Sequence, residues 1–98
     1  MDAEATARAI AADLAPALAE LGVSGTVDRP GALILGKEPY RPRDAITGHP
    51  AYVAAVAEGV EPAAVGGACL YNLWLSLLPP TAIQNRFNPL QPPQRPTP

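Results

Sequence analysis

Apolar positions recur at helical spacing through residues 2–21, DAEATARAIAADLAPALAEL. Ala3, Ala7, Ile10, Leu14, Ala17, Leu18 and Leu21 fall on one side of a helix, whereas Glu4, Arg8 and Glu20 fall elsewhere. Asp2 suits the N-cap, Glu4 places a negative charge in the first turn, and Gly22 supplies a stop. Pro16 deletes one backbone hydrogen bond and crowds the preceding turn, so a kink or break is predicted there. The stripe is thin because much of it is alanine, which permits close approach by another element.

The period then shortens. Residues 23–35 read as a β-hairpin: Val23, Gly25 and Val27 share one face, and Ala32-Leu33-Ile34-Leu35 follows as a short apolar strand. Between them, Pro30-Gly31 suits the central positions of a type II turn, because proline presets the first and glycine accepts positive φ at the second. Two strands alone are marginal in water, so the hairpin must pack on helices or join strands of another subunit. Residues 36–49, GKEPYRPRDAITGH, read as loop, broken by Pro39 and Pro42. Lys37, Arg41 and Arg43 beside Tyr40 suggest a phosphate or nucleic-acid contact; the balancing reading is a solvated loop with Glu38 and Asp44 as counter-charges.

Two more helices follow. Residues 50–58 open on Pro50 at the first helical position, with His49 at the N-cap and Gly59 as the stop. Tyr52, Val53 and Val56 are the expected apolar side. Residues 61–78, EPAAVGGACLYNLWLSLL, carry only Asn72 and Ser76 as polar side chains apart from the tyrosine, after Glu61 and Pro62 at the start and before Pro79-Pro80 as a hard stop. A helix apolar on nearly every side is buried or in lipid. A spanning helix needs about 20 apolar residues, and this run is shorter, holds Gly66-Gly67 and has no flanking basic cluster. A membrane role is therefore disfavoured. The expected setting is a central helix covered by its own domain and by neighbours, with Leu70, Leu73, Trp74 and Leu77 at the interface. Gly66-Gly67 is read as a site of close helix packing or a local irregularity.

The remainder, PPTAIQNRFNPLQPPQRPTP, holds seven prolines, no acid, and Arg86 and Arg95 as its only charges. Such a segment forms neither helix nor central strand, and its default is an extended polyproline-like arm. Arg86, Phe87, Leu90 and Arg95 are its candidate anchors. The chain thus divides into a body (1–78) and an arm (79–98). Net charge is −2, but Met1–Glu61 carries nine acids against five bases while everything after Glu61 carries only the two arginines. The arm is opposite in sign to its own body and could lie on a neighbouring copy of it. The overall acidity gives no general reason to expect nucleic-acid binding.

Catalytic chemistry has little to work with. One histidine (His49), one lysine and one cysteine (Cys69) exclude an intrachain disulfide, disfavour a zinc cluster within the chain, and leave few nucleophile–base pairs. The acids sit at predicted helix ends, turns and polar faces. Gly66-Gly67 lacks the rest of a phosphate-loop pattern. No catalytic residue, metal or cofactor is therefore assigned. The abundance of alanine and proline with six arginines to one lysine is the bias of a GC-rich genome. MDAEATARAI has no apolar signal core, so synthesis in the cytoplasm is expected.

The architecture expected is α+β: N-terminal helix, β-hairpin, two further helices, extended arm. A body this small buries a limited core, and oligomerisation is the usual support. The order of the Ala-rich helix, then VSGTVDRPGALIL, then helix and extended arm resembles small ring proteins of phage head–tail junctions, such as connectors and tail terminators. That resemblance implies a structural subunit of a multi-copy complex, a virion component, whose partners are copies of itself or other proteins of the assembly. The alternative is an adaptor whose proline-rich tail is a linear ligand for another protein. A small subunit of a membrane complex is the third.

Overall fold

The computed structural model describes residues 2–79. Seven elements follow in order: α1 (Ala3–Leu21), β1 (Val23–Gly25), β2 (Leu33–Leu35), β3 (Glu38–Tyr40), α2 (Arg43–Thr47), α3 (Pro50–Ala57) and α4 (Pro62–Leu77). The class is α+β, with α1 packed along α4 as the main contact and the sheet attached through β1. The arm residues Arg86, Phe87, Leu90 and Arg95 lie outside the described residues.

α1 starts where Asp2 accepts a hydrogen bond from the Glu4 amide at 3.3 Å, and ends at Gly22, whose φ of 98° only glycine adopts freely. The break expected at Pro16 does not occur; the helix runs through it. Pro16 and Ala12 both face solvent, so the carbonyl that loses its partner is open to water. The buried face is Thr6, Ala7, Ile10, Ala11 and Leu18. Leu21, expected on that face, is 61% exposed because the last turn runs past the end of the core.

The hairpin turn forms as the sequence implies. The Ala32 amide donates to the Arg29 carbonyl at 3.1 Å, and Gly31 has φ of 83°, so Pro30 and Gly31 occupy the central positions of a type II turn. Val27, expected to share the inner face of Val23 and Gly25, is instead 48% exposed, beyond the end of β1.

The loop expected over residues 36–49 is partly regular. Glu38–Tyr40 adds a third antiparallel strand to give the order β1-β2-β3, with Ile34 opposite Pro39 and Leu33 opposite Tyr40. Gly36-Lys37 is a two-residue link with positive φ at Gly36 alone, the pattern of a type II′ turn. Pro39 is tolerated because β3 is an edge strand, where a missing N–H can point away from the sheet. It also blunts that edge against an added strand. α2 is a single short helix, held by Ile46, which is 3% exposed.

α3 is capped by His49 as expected, but its inner side is rotated. Ala55 is fully buried and Ala51 partly so, whereas Tyr52 and Val56 are half-buried and Val53 is 56% exposed. Alanines let α3 lie close to α1, a position also fixed by the His49–Asp13 contact.

On α4, Val65, Cys69, Leu73, Trp74 and Leu77 point into the core. Trp74 is the keystone between helix and sheet. Its indole N–H donates to the Thr26 carbonyl at 2.6 Å, and its ring and backbone lie where a Gly25 side chain would begin. Thr26 in turn donates its amide to the Ala32 carbonyl (3.0 Å) and its hydroxyl to the Arg29 carbonyl (2.7 Å), so one residue ties the turn to the core.

Candidate functional site

The outer half of α4 borders a concavity whose walls mix apolar and cationic side chains. Pro42 begins α2, setting Arg41 and Arg43 on either side of the helix start, while Ile46 anchors the helix to the core. Tyr52 comes from α3. Pro62, Gly66, Gly67 and Leu70 come from α4. Together they enclose a groove of about 670 Å³. A second groove of about 520 Å³ runs beside the sheet, lined by Arg29, Lys37, Tyr40 and Ile34. Arg41 and Leu70 border both, so the two grooves adjoin at these residues.

Four cations therefore line the two adjoining grooves: Arg29, Lys37, Arg41 and Arg43. Glu38 and Asp44, expected as their counter-charges, make no ion pair with them; among the described residues the carboxylates that meet basic side chains are Glu4, with Arg8 at 3.7 Å, and Asp13, with His49 at 2.9 Å. Asp28 is the one acid lining either groove.

The floor is unusual. A Cβ added at Gly66 or at Gly67 would meet nothing within 4 Å outside the helix's own backbone. The expectation of close packing at these glycines is thus not met among the described residues: α4 is regular through both, with Gly66 half-buried and Gly67 exposed.

The interface expected on α4 divides. Leu70 is half-buried and lies on both grooves, but Leu73, Trp74 and Leu77 are 0%, 2% and 9% exposed and belong to the chain's own core. The residues on α4 that do face outward include Ala63, Ala64, Gly67, Tyr71 and Ser76. Helical spacing alone could not separate these sets, because α4 is apolar on both sides.

His49 and Cys69 are both held by other groups of the fold. His49 Nδ1 accepts the Ala51 amide at 3.0 Å while Nε2 meets Asp13 Oδ2 at 2.9 Å, so both ring nitrogens are committed and Nε2 carries the proton toward the carboxylate. Asp13 lies 36 residues away, a partner that sequence proximity could not reveal. Cys69 is fully buried, its thiol faces the Ala7 carbonyl at 3.5 Å, and burial pushes its pKa up to about 11. That is the opposite of an activated thiolate. Among the described residues, no group of three or more His, Cys, Asp or Glu side chains is placed to hold a metal ion, and no helix is long and apolar enough to cross a membrane.

The chain matches no protein-family model, no curated protein and no solved structure.

Proposed function

We propose that this chain is a structural subunit of a multi-copy assembly, docking on neighbouring chains through the outer side of α4 and through its proline-rich C-terminal arm. The observation that carries this reading is the uncharged outer side of α4. Ala64, Gly67, Tyr71 and Ser76 face outward, Tyr71 is 48% exposed, and no charged residue occurs between Glu61 and Arg86. Solvent-facing helix sides ordinarily carry charge, and a side without it is suited to contact with another surface. The small size of the body adds to this, since association is a common support for limited cores. The most concrete form is a virion component, a ring protein at a phage head–tail junction, in keeping with the order of its elements.

The test is the mass of the purified chain in solution, measured by sedimentation across a concentration range. A multimer is expected. Cutting after Pro80, or introducing Tyr71→Glu, lowers the association while leaving the helical circular dichroism in place. A full chain that stays monomeric throughout overturns the reading and favours an adaptor whose arm is a linear ligand for another protein.

A further inference from the structure

We propose that the adjoining grooves on either side of Leu70 are a docking site for an acidic, extended peptide segment of a partner protein, and not for this chain's own arm. The inference goes beyond the assembly reading and does not depend on it, since a monomer could use the same groove.

Charge complementarity selects the occupant. Arg29, Lys37, Arg41 and Arg43 are four of the five cations that precede Pro62, and all four line these grooves without an ion pair among the described residues. Between them runs an apolar strip that includes Pro42, Ile46, Pro62 and Leu70. An extended peptide sends successive side chains to opposite sides, so alternating carboxylates and apolar groups can meet the guanidinium groups and the strip together. Gly66 and Gly67 leave the α4 backbone bare at the floor, which gives such a segment room to approach. A helix-interior glycine is disfavoured against alanine, and at these two positions no neighbour among the described residues requires it.

The same reasoning disfavours two other occupants. Residues 80–98 contain no acid and include Arg86 and Arg95, so the arm has the wrong sign for this groove. A nucleic acid would meet a body with nine acids against five bases, and Tyr40 and Tyr52 are half-buried and offer little free ring for stacking.

The experiment immobilises the full chain and applies a degenerate pool of short peptides built from Asp, Glu, Leu and Phe, beside a matched pool with Asn and Gln in place of the acids. The acidic pool is retained at least about tenfold better. Raising salt from about 50 to about 500 mM weakens retention. Arg41→Glu with Arg43→Glu, both at exposed positions, abolishes it with circular dichroism unchanged. Gly67→Leu also reduces it, by filling the floor without altering charge. Failure of the wild-type chain to retain the acidic pool, or equal retention by the charge-reversed chain, overturns the proposal. So does tighter binding of a labelled peptide of residues 80–98 or of oligo-dT. Sedimentation mass reports on assembly separately, so either idea can fail alone.

Discussion

The two sides of α4 use glycine in opposite ways. On the sheet side, the space beside Gly25 is already taken: an added Cβ would lie 2.7 Å from the Trp74 carbonyl oxygen and 2.8 Å from its ring. Glycine is there because the helix backbone and the strand touch. On the groove side, Gly66 and Gly67 face emptiness. The first is explained by packing between β1 and α4, the second by no contact among the described residues. A close approach completed within the subunit and one left open are distinguished by what surrounds the missing side chain, not by the residue.

The contrast can be broken at its strongest point first. Trp74→Ala removes a 2%-exposed side chain and its bond to Thr26, and should cost about 3–5 kcal/mol in chemical denaturation. A cost near zero means that the sheet side is not sealed. Cys69, on the same sealed side, gives a pH version. Its folded pKa of about 11 lies above the ordinary 9.0, so the unfolded state loses its proton first as pH rises. The stability it protects is therefore intact below about pH 9 and is lost on approach to pH 11, up to roughly 2–3 kcal/mol. The Cys69→Ala chain should lack this alkaline component when melts are compared across that range, and the native thiol should ignore thiol reagents until the chain unfolds. Gly25→Ala should cost about 1–3 kcal/mol through the forced shift of Trp74. The smallest effect carries the opposite sign: Gly66→Ala and Gly67→Ala should each stabilise the isolated subunit by about 0.5–1 kcal/mol. Destabilisation at either position would show that the groove floor is not open.

Local rules made much of the frame legible. Asp2 and Gly22 marked the ends of α1, Pro30-Gly31 the first turn, and Pro62 with Pro79-Pro80 the limits of α4, since caps and proline act on their nearest neighbours alone. Other features depended on partners distant in the chain. β3 was hidden by Pro39, which looks like a breaker until an edge position makes its missing donor harmless. Gly36-Lys37 was the available signal, a glycine-led two-residue link directly after the apolar run Leu33-Ile34-Leu35. At Pro16 the helix continues without the break that was one of the two expected outcomes, since Pro16 and Ala12 face solvent and water can reach the freed carbonyl. At the candidate site, Arg41, Arg43 and Tyr52 were visible as residue types, but their meeting with Gly66 and Leu70 is a product of how α2 and α3 fold against α4. The inward placement of Leu73, Trp74 and Leu77 was likewise unreadable from a helix without a polar face to orient it.

Trp74 is the chain's sole tryptophan, and its indole joins the helical layer to the strand layer through the Thr26 carbonyl. Tyr71 sits with its ring centroid 5.5 Å away, within range to pass excitation to it. The molecule thus carries a native optical gauge of one joint. Detachment of the strands would redden and brighten or dim the indole emission while the far-ultraviolet helical signal persisted, so the order in which the layers come apart can be watched without attaching a dye.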